Sequence, residues 1–228
     1  MYHFSIIIPV YNEEENIVDL IYEIRDSIKK KYKYELIVVN DGSSDFSLKK
    51  INQIKDLSLK IISNKVNLGQ SKSTEIGIKA AKSNTIVTID GDGQNIPTDI
   101  LKIAKLYFLN NETKLVSGIR KKRRDSIIKL ISSKLANEVR SFILKDHCKD
   151  TGCSLKIFDK QIFLSFPFFD GIHRFIPAFF VRNNYKVKYV DVGHRPRLKG
   201  ESKYGTKDRL TKGVIDLIRV RNILNKNV

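Results

Sequence analysis

Strand-like and helix-like patterns alternate through the first half of the chain, and this alternation limits the fold more than any other feature. Phe4–Val10, Tyr34–Asn40, Ser58–Ser63, Thr85–Asp90 and Lys114–Ser117 are short apolar runs rich in β-branched residues. Between them, Glu13–Lys30 sets Ile17, Leu20, Ile21, Ile24 and Ile28 at helical spacing, and further helices are expected from about Gln70 to Lys82 and Thr98 to Leu109. Short apolar runs bounded by turn residues read as buried strands, and recurrence every three to four residues reads as one helix face. A βαβα series of this kind predicts an α/β fold: a mostly parallel, doubly wound sheet flanked by helices.

The second half reads differently. Asp125–Lys145 is a long helical pattern with Ile128, Ile131, Leu135, Val139, Phe142 and Ile143 apolar. Ser154–Phe158 and Lys186–Val190 are further strand candidates, with a helix from about Arg174 to Asn183 between them. A basic loop, Gly193–Gly205, leads to a last amphipathic helix over Asp208–Leu224. No Pro- or Ser-rich linker, internal repeat or low-complexity block interrupts the 228 residues, which suffice to bury a substantial core. One domain with two functional halves, about 1–118 and 119–228, is expected.

The strand Thr85–Asp90 runs into Gly91-Asp92-Gly93-Gln94. Strand periodicity puts residues i and i+2 on one side, so this end is expected to deliver Asp90 and Asp92 to one spot. Ligands of open α/β sheets bind outside the carboxyl ends of the strands. Two carboxylates and an amide oxygen are hard ligands suited to Mg²⁺ or Mn²⁺, and such an ion brings a phosphate-bearing substrate with it. Asp and Gly also form ordinary turns, which is the alternative for this segment taken alone. Pro9-Val10-Tyr11-Asn12-Glu13 and Val38–Asp45 end two other strands in the same manner. Three polar strand ends together are harder to explain as unconnected turns.

Lys and Arg number 42 against 25 Asp and Glu, a net charge of +17. That excess suits an anionic partner, although a Lys-, Ile- and Asn-heavy composition also follows from biased codon usage. Cys148 and Cys153 are expected as free thiols, since no secretory signal points to an oxidising compartment and two thiols do not complete a zinc site. The apolar run at the N-terminus is a first strand rather than a signal peptide, and no stretch approaches the roughly 20 apolar residues of a spanning helix. A cytoplasmic chain without an integral anchor is the expectation. The P-loop and dinucleotide glycine fingerprints are both absent from the sequence.

Taken in order, Pro9–Glu13, Asn40-Asp41-Gly42-Ser43, Asn67-Leu68-Gly69, Asp90–Gln94 with Pro97, Ser117–Arg120, Asp150-Thr151-Gly152-Cys153 and Gly200–Gly205 resemble the family 2 glycosyltransferases of the GT-A fold. The resemblance spans about the whole chain and leans toward the branch that charges a polyprenyl phosphate with one sugar, dolichyl-phosphate mannose synthase among them. It implies that Pro9, Tyr11 and Glu13 line a nucleotide pocket and that Asp41 accepts a hydrogen bond from the base. Asp90, Asp92 and Gln94 would hold Mg²⁺ or Mn²⁺ on the donor diphosphate. Arg197, Ser202 and Lys203 would close over the phosphates, and Arg120 and Arg124 would take the acceptor phosphate. The implied halves are a nucleotide-sugar half to about residue 118 and an acceptor half after it. Asn40 stands where the family often has an acid, a departure at a position implied to contact ribose or base. Many relatives also carry C-terminal membrane helices, and these are absent from this sequence.

The physical logic stands beside the resemblance. A nucleotide diphosphate leaves poorly until its charge is neutralised, which a divalent ion and cations such as Arg197 and Lys203 supply. A lipid phosphate is already ionised near neutral pH and needs no general base, so catalysis reduces to positioning and electrostatics, and a single displacement inverts the anomeric centre. The planar fork of Arg suits the acceptor phosphate.

Arg120-Lys121-Lys122-Arg123-Arg124 directly precedes the amphipathic pattern, which fits an anionic bilayer surface. A solvated basic face is the plainer reading, and nucleic acid is not expected without an RNP-type aromatic motif. His173, within His173-Arg174-Phe175-Ile176-Pro177, either approaches the donor site or caps a helix, and His194 either aids the diphosphate loop or packs. Asp150 either orients an Arg or the sugar, or serves as the base of a hydroxyl-accepting enzyme. Phe163, Phe166, Phe168, Phe169, Phe175, Phe179 and Phe180 are mostly core by default, with an isoprenyl chain as the alternative neighbour for some of them. The expected partners are a nucleotide-sugar, a polyprenyl phosphate and the inner face of the cytoplasmic membrane, with room for a membrane-protein partner or a second copy. The rivals are a family 2 transferase acting on a sugar hydroxyl and a non-catalytic membrane-surface module.

Overall fold

The computed structural model describes residues 2–56, 58–121, 138, 140–197 and 206–226. Its strands are β1 (Phe4–Val10), β2 (Tyr34–Asn40), β3 (Leu59–Ser63), β4 (Thr85–Thr88), β5 (Thr113–Arg120), β6 (Lys156–Asp159) and β7 (Lys186–Val192). The helices are α1 (Ile17–Ile28), α2 (Ser47–Asn52), α3 (Gln70–Ala80), α4 (Asp99–Phe108), α5 (Lys160–Leu164), α6 (Ile172–Arg182) and α7 (Thr206–Lys226). All seven strands join one sheet in the order β3-β2-β1-β4-β6-β5-β7. Strand β6 runs antiparallel to both β4 and β5, while the other pairings are parallel, so the sheet is mostly parallel as expected.

Both faces of the sheet are covered, which is why its central strands read as continuous apolar runs rather than alternating ones. Ile6, Ile8 and Val38 pack beneath α1 and α4 with Ile17, Leu20, Ile21, Ile24, Ile100 and Ile103. Their neighbours Ile7, Ile37 and Val39 face the other way, against Ile78 of α3 and Phe175, Ile176 and Phe179 of α6. This is the period-two alternation of a strand buried on both sides. Each such side chain contributes about 1.5–3 kcal/mol of transfer free energy. Of the seven phenylalanines between 163 and 180, all but Phe168, which stays 42% exposed, belong to or pack against the core.

Several boundaries differ from the sequence reading. Strand β4 stops at Thr88, although the Ile89 N–H still donates to Ile7 O at 3.2 Å. Asp90 and Asp92 therefore lie beyond the ladder, in a turn, and the pleat does not bring them together. Strand β5 runs on to Arg120 because β7 pairs with it through Arg120 and Val192. The short helices α2 and α5 were not expected; α5 is capped by Asp159, whose carboxylate accepts the Gln161 and Ile162 N–H groups. Helix α1 starts only at Ile17, because residues 13–16 form a turn closed by the Asn16 and Ile17 N–H groups on Glu13 O. Of the predicted helix Asp125–Lys145, residues 125–137 and 139 lie outside the described residues, while 138 and 140–144 are helical as expected.

Candidate active site

Strands β1 and β2 end level, Val10 opposite Asn40, so the loops after them meet. Asn12 takes a left-handed backbone (φ 53°), and its Oδ1 accepts the Ser44 N–H at 2.8 Å while its own N–H donates to Ser43 Oγ at 2.9 Å. The Glu13 N–H donates to Ser47 Oγ at 2.8 Å. Asp41 is buried, and three donors from the loop after β3 converge on it. Its Oδ1 accepts Asn64 Nδ2 (2.8 Å) and the Leu68 N–H (2.9 Å), and its Oδ2 accepts the Gly69 N–H (2.9 Å). Asp41 thus fixes the loop that leads into α3. Pro9 lies on β1 opposite Val39, and Tyr11 is 37% exposed just beyond the strand.

The turn after β4 holds the acid pair. Ser154 Oγ accepts the Asp90 N–H at 3.2 Å, and Gln70, the first residue of α3, donates from Nε2 to Asp90 Oδ1 at 2.7 Å. Burial and then the charge of Asp92 push the Asp90 carboxyl up to about 6, against smaller opposing effects that include Lys156 and Arg120. Burial also raises Asp92, which accepts the Gln94 N–H at 3.1 Å and feels the charges of Arg197 and His194. With its amide nitrogen toward Asp92 Oδ2 (3.0 Å) and its oxygen toward the Arg197 N–H (3.2 Å), Gln94 satisfies both of its groups. In that arrangement Gln94 orients Asp92 instead of turning its oxygen outward as a ligand.

The donor set fits a hard divalent cation. Two desolvated, mutually repelling carboxylates lose that penalty when they coordinate one. Among the described residues no group of three His, Cys, Asp or Glu side chains is placed to hold a metal ion. The remaining ligands of Mg²⁺ or Mn²⁺ would be phosphate oxygens and water, the usual way such an ion is held at a phosphate site.

A basic strap crosses the acid pair from the segment after β7. His194 bridges Asn95 in antiparallel fashion, and the Arg195 N–H donates to Gln94 O at 3.0 Å. Arg195 also grips Glu23 with both terminal nitrogens (3.2 and 2.6 Å) and reaches Gly93 O through Nε. Arg197 pairs with Glu13. Two residues expected in one pocket therefore meet directly. Ser202, Lys203 and Arg124 lie outside the described residues. Gln70, Ser154, Glu23 and Arg195 were missed from sequence, although Gln70 directly follows Asn67-Leu68-Gly69, Ser154 directly follows Asp150-Thr151-Gly152-Cys153 and Arg195 lies in the basic loop.

At the end of β5, Arg120 and Asp150 form a buried two-point ion pair, Nε to Oδ2 at 2.7 Å and Nη2 to Oδ1 at 2.6 Å. The Arg120 N–H adds a contact to Oδ2 at 3.1 Å. His173 stands in the first turn of α6, 2.7 Å from Ser71 Oγ through Nδ1. Cys148 and Cys153 are free and buried, and burial raises both thiols, Cys153 to about 11.

A doubly wound sheet with a buried acid pair at a central strand end and cations over it is the GT-A architecture. The sequence profile of the family described as Glycosyl transferase family 2 matches residues 5–168, and the chain belongs to that family. It is 33% identical over 223 residues to the dodecaprenyl-phosphate galacturonate synthase of Rhizobium johnstonii, covering 95% of this chain and 65% of that protein. It is 32% identical over 206 residues to the undecaprenyl-phosphate 4-deoxy-4-formamido-L-arabinose transferase of Proteus mirabilis, covering 88% and 62%. The chain thus spans less than two thirds of these relatives' length. In shape it is similar to the Mycobacterium tuberculosis glucosyl-3-phosphoglycerate synthase crystallised with Mn²⁺, UDP and glucosyl-3-phosphoglycerate, with a TM-score of 0.67, 19% identity and coverage of 96% and 80%.

Proposed function

We propose that the chain is an inverting glycosyltransferase that moves one sugar from a UDP- or GDP-sugar to a polyprenyl phosphate at the cytoplasmic face of a membrane. The observation that carries this reading is the Arg120–Asp150 pair. A transferase acting on a sugar hydroxyl needs a carboxylate free to take a proton, and Asp150 was the best candidate. Both of its oxygens are instead committed to a guanidinium. An acceptor that arrives ionised needs no such base, and an Arg beside the acid pair suits its phosphate. The names of the relatives, both polyprenyl-phosphate sugar transferases, support the same acceptor class.

In this reading Pro9, Tyr11, Glu13 and Asp41 form the nucleoside end, Asp90 and Asp92 hold the cation, and Arg197, Ser202 and Lys203 close over the diphosphate. Arg120 and Arg124 receive the acceptor, which divides the chain near residue 118 into a donor half and an acceptor half of one domain. Bound Mg²⁺ or Mn²⁺ supplies Lewis-acid neutralisation of the leaving diphosphate. The structure of the M. tuberculosis enzyme with Mn²⁺ and UDP supports that choice of ion. For Arg197 to reach a diphosphate it must leave Glu13, an exchange of one anionic partner for another.

No described helix is long and apolar enough to cross a membrane. Helix α7 exposes Ile215 and Ile218 beside the exposed Arg219 and Arg221, a pattern suited to lying on an anionic surface. The test is incubation with polyprenyl phosphate, Mn²⁺ and a panel of labelled UDP- and GDP-sugars, followed by lipid extraction. Label in the lipid fraction is the expected result. Label only on a soluble or polysaccharide acceptor would support the hydroxyl-accepting alternative, and nucleotide binding without any transfer would support a non-catalytic module.

A further inference from the structure

Ser71 lies in the first turn of α3 and His173 in the first turn of α6, and a buried hydroxyl ties the two helix starts together. Ser71 Oγ accepts the Gly171 N–H at 2.8 Å and sits 2.7 Å from His173 Nδ1. A backbone N–H can only donate, so the serine has one proton of its own to place. If Nδ1 carried hydrogen, that serine proton would have no acceptor among the described residues. The network is satisfied when Ser71 donates to a bare Nδ1, which assigns the imidazole proton to Nε2. Nε2 itself has no hydrogen-bond partner among the described residues. Burial, with Arg174 and Lys156 adding to it, lowers the His173 pKa to about 3, so the ring is neutral at any working pH.

The placement is as informative as the tautomer. Ser71 follows Gln70, whose amide holds Asp90. Helix α3 packs on β1 and β2, and α6 packs on β5 and β7. His173 thus stands at the seam between the half that carries Asp41 and the acid pair and the half that carries Arg120. On the proposed function, a sugar moving from a diphosphate held at Asp90 and Asp92 to a phosphate held at Arg120 would cross between these two halves.

We infer that His173 contacts the transferred sugar, donating from Nε2–H to one of its oxygens, and that Ser71 is the positioning residue that fixes the ring for this task. The inference rests on the proposed function and deepens it by naming a determinant of sugar choice. With its proton on Nε2 and its lone pair turned to Ser71, the ring neither ligates the metal nor takes up a proton; it reads an oxygen acceptor. A site built to hydrogen-bond a particular oxygen discriminates against sugars that lack it.

Two substitutions separate the two ring nitrogens. His173→Asn keeps an acceptor for Ser71 near Nδ1 and removes the Nε2 donor, whereas His173→Gln places an amide N–H near Nε2. With the nucleotide-sugar that the wild-type chain uses, His173→Asn is expected to lower kcat/KM by about 10- to 100-fold, the range for a buried sugar oxygen left without its donor. UDP or GDP affinity measured by calorimetry with Mn²⁺ should stay within about 2-fold, since the nucleoside and metal contacts lie elsewhere. His173→Gln should recover part of the rate and change the ranking of sugars. Two-bond ¹H–¹⁵N spectra of the wild-type chain should show the Nε2-protonated ring, and Ser71→Ala should weaken that preference.

A ring protonated on Nδ1 overturns the inference whatever the variants do. So does wild-type transfer by His173→Asn, or an equal loss of nucleoside diphosphate affinity, which would put His173 at the metal end. A wild-type chain that binds UDP and GDP but transfers nothing sinks the proposed function as well, and so distinguishes the two failures.

Discussion

Arg120 and Asp150 hold each other through two parallel hydrogen bonds of 2.7 and 2.6 Å at the carboxyl end of β5, with both side chains largely out of solvent. Removing one partner leaves a buried charge unpaired, which typically costs 3–5 kcal/mol. Asp150→Ala should therefore destabilise the chain by roughly that amount in urea melts. Where Asp150→Asn folds, it should raise the KM for polyprenyl phosphate more than that for the nucleotide-sugar. A collapse of kcat at unchanged acceptor KM would mark Asp150 as a base instead.

Asp92→Asn should lower turnover by roughly 10²-fold or more, because it weakens the hold on the ion that neutralises the leaving group. The same variant should lose the thermal protection that Mn²⁺ with nucleoside diphosphate gives the wild-type chain. Near-normal rates at saturating Mg²⁺ and Mn²⁺ would remove Asp92 from the metal site.

The raised Asp90 carboxyl makes a prediction about the metal-free chain. Its folded pKa of about 6 lies above the ordinary 3.8. The folded state therefore binds the proton more tightly, and this contribution to stability is complete below pH 3.8 and is lost as pH rises through about 6. Asp90→Asn should gain melting temperature relative to wild type at pH 7 and little at pH 4. Equal differences at both pH values would show that Asp90 titrates normally.

Gly42 follows Asp41 with φ +67°, and a Cβ there would sit 2.6 Å from the backbone carbon of Val66. Gly42→Ala should cost about 1–3 kcal/mol and push away the loop anchored on Asp41. Weaker nucleoside diphosphate binding in calorimetry should accompany the loss of stability. A variant as stable as wild type would show that this loop yields freely.

Ile215 and Ile218 are 57% and 58% exposed on α7. Co-sedimentation should require anionic liposomes and weaken as salt rises, since the attraction of Arg219 and Arg221 is screened. Ile218→Asp should weaken binding further at high salt, where only apolar burial is left. Failure to sediment with anionic liposomes at low salt would shift the acceptor toward a soluble one.

The sequence by itself determined the alternating elements, the family and the strand ends that carry Tyr11, Asp41 and Asp90. These are encoded locally: apolar periodicity selects strand or helix, and turn residues mark where each stops. It misread how Asp90 and Asp92 meet, because a strand can end two residues before its apolar pattern when its neighbours stop pairing. Only the tertiary structure decided which side chains hold one another. Arg120 meets Asp150 across 30 positions, Ser71 meets His173 across 102 and Arg197 meets Glu13 across 184. No local pattern encodes such pairings. They arise when sheet order and helix packing bring strand and helix ends together, and burial then requires each charge and hydroxyl to find a partner.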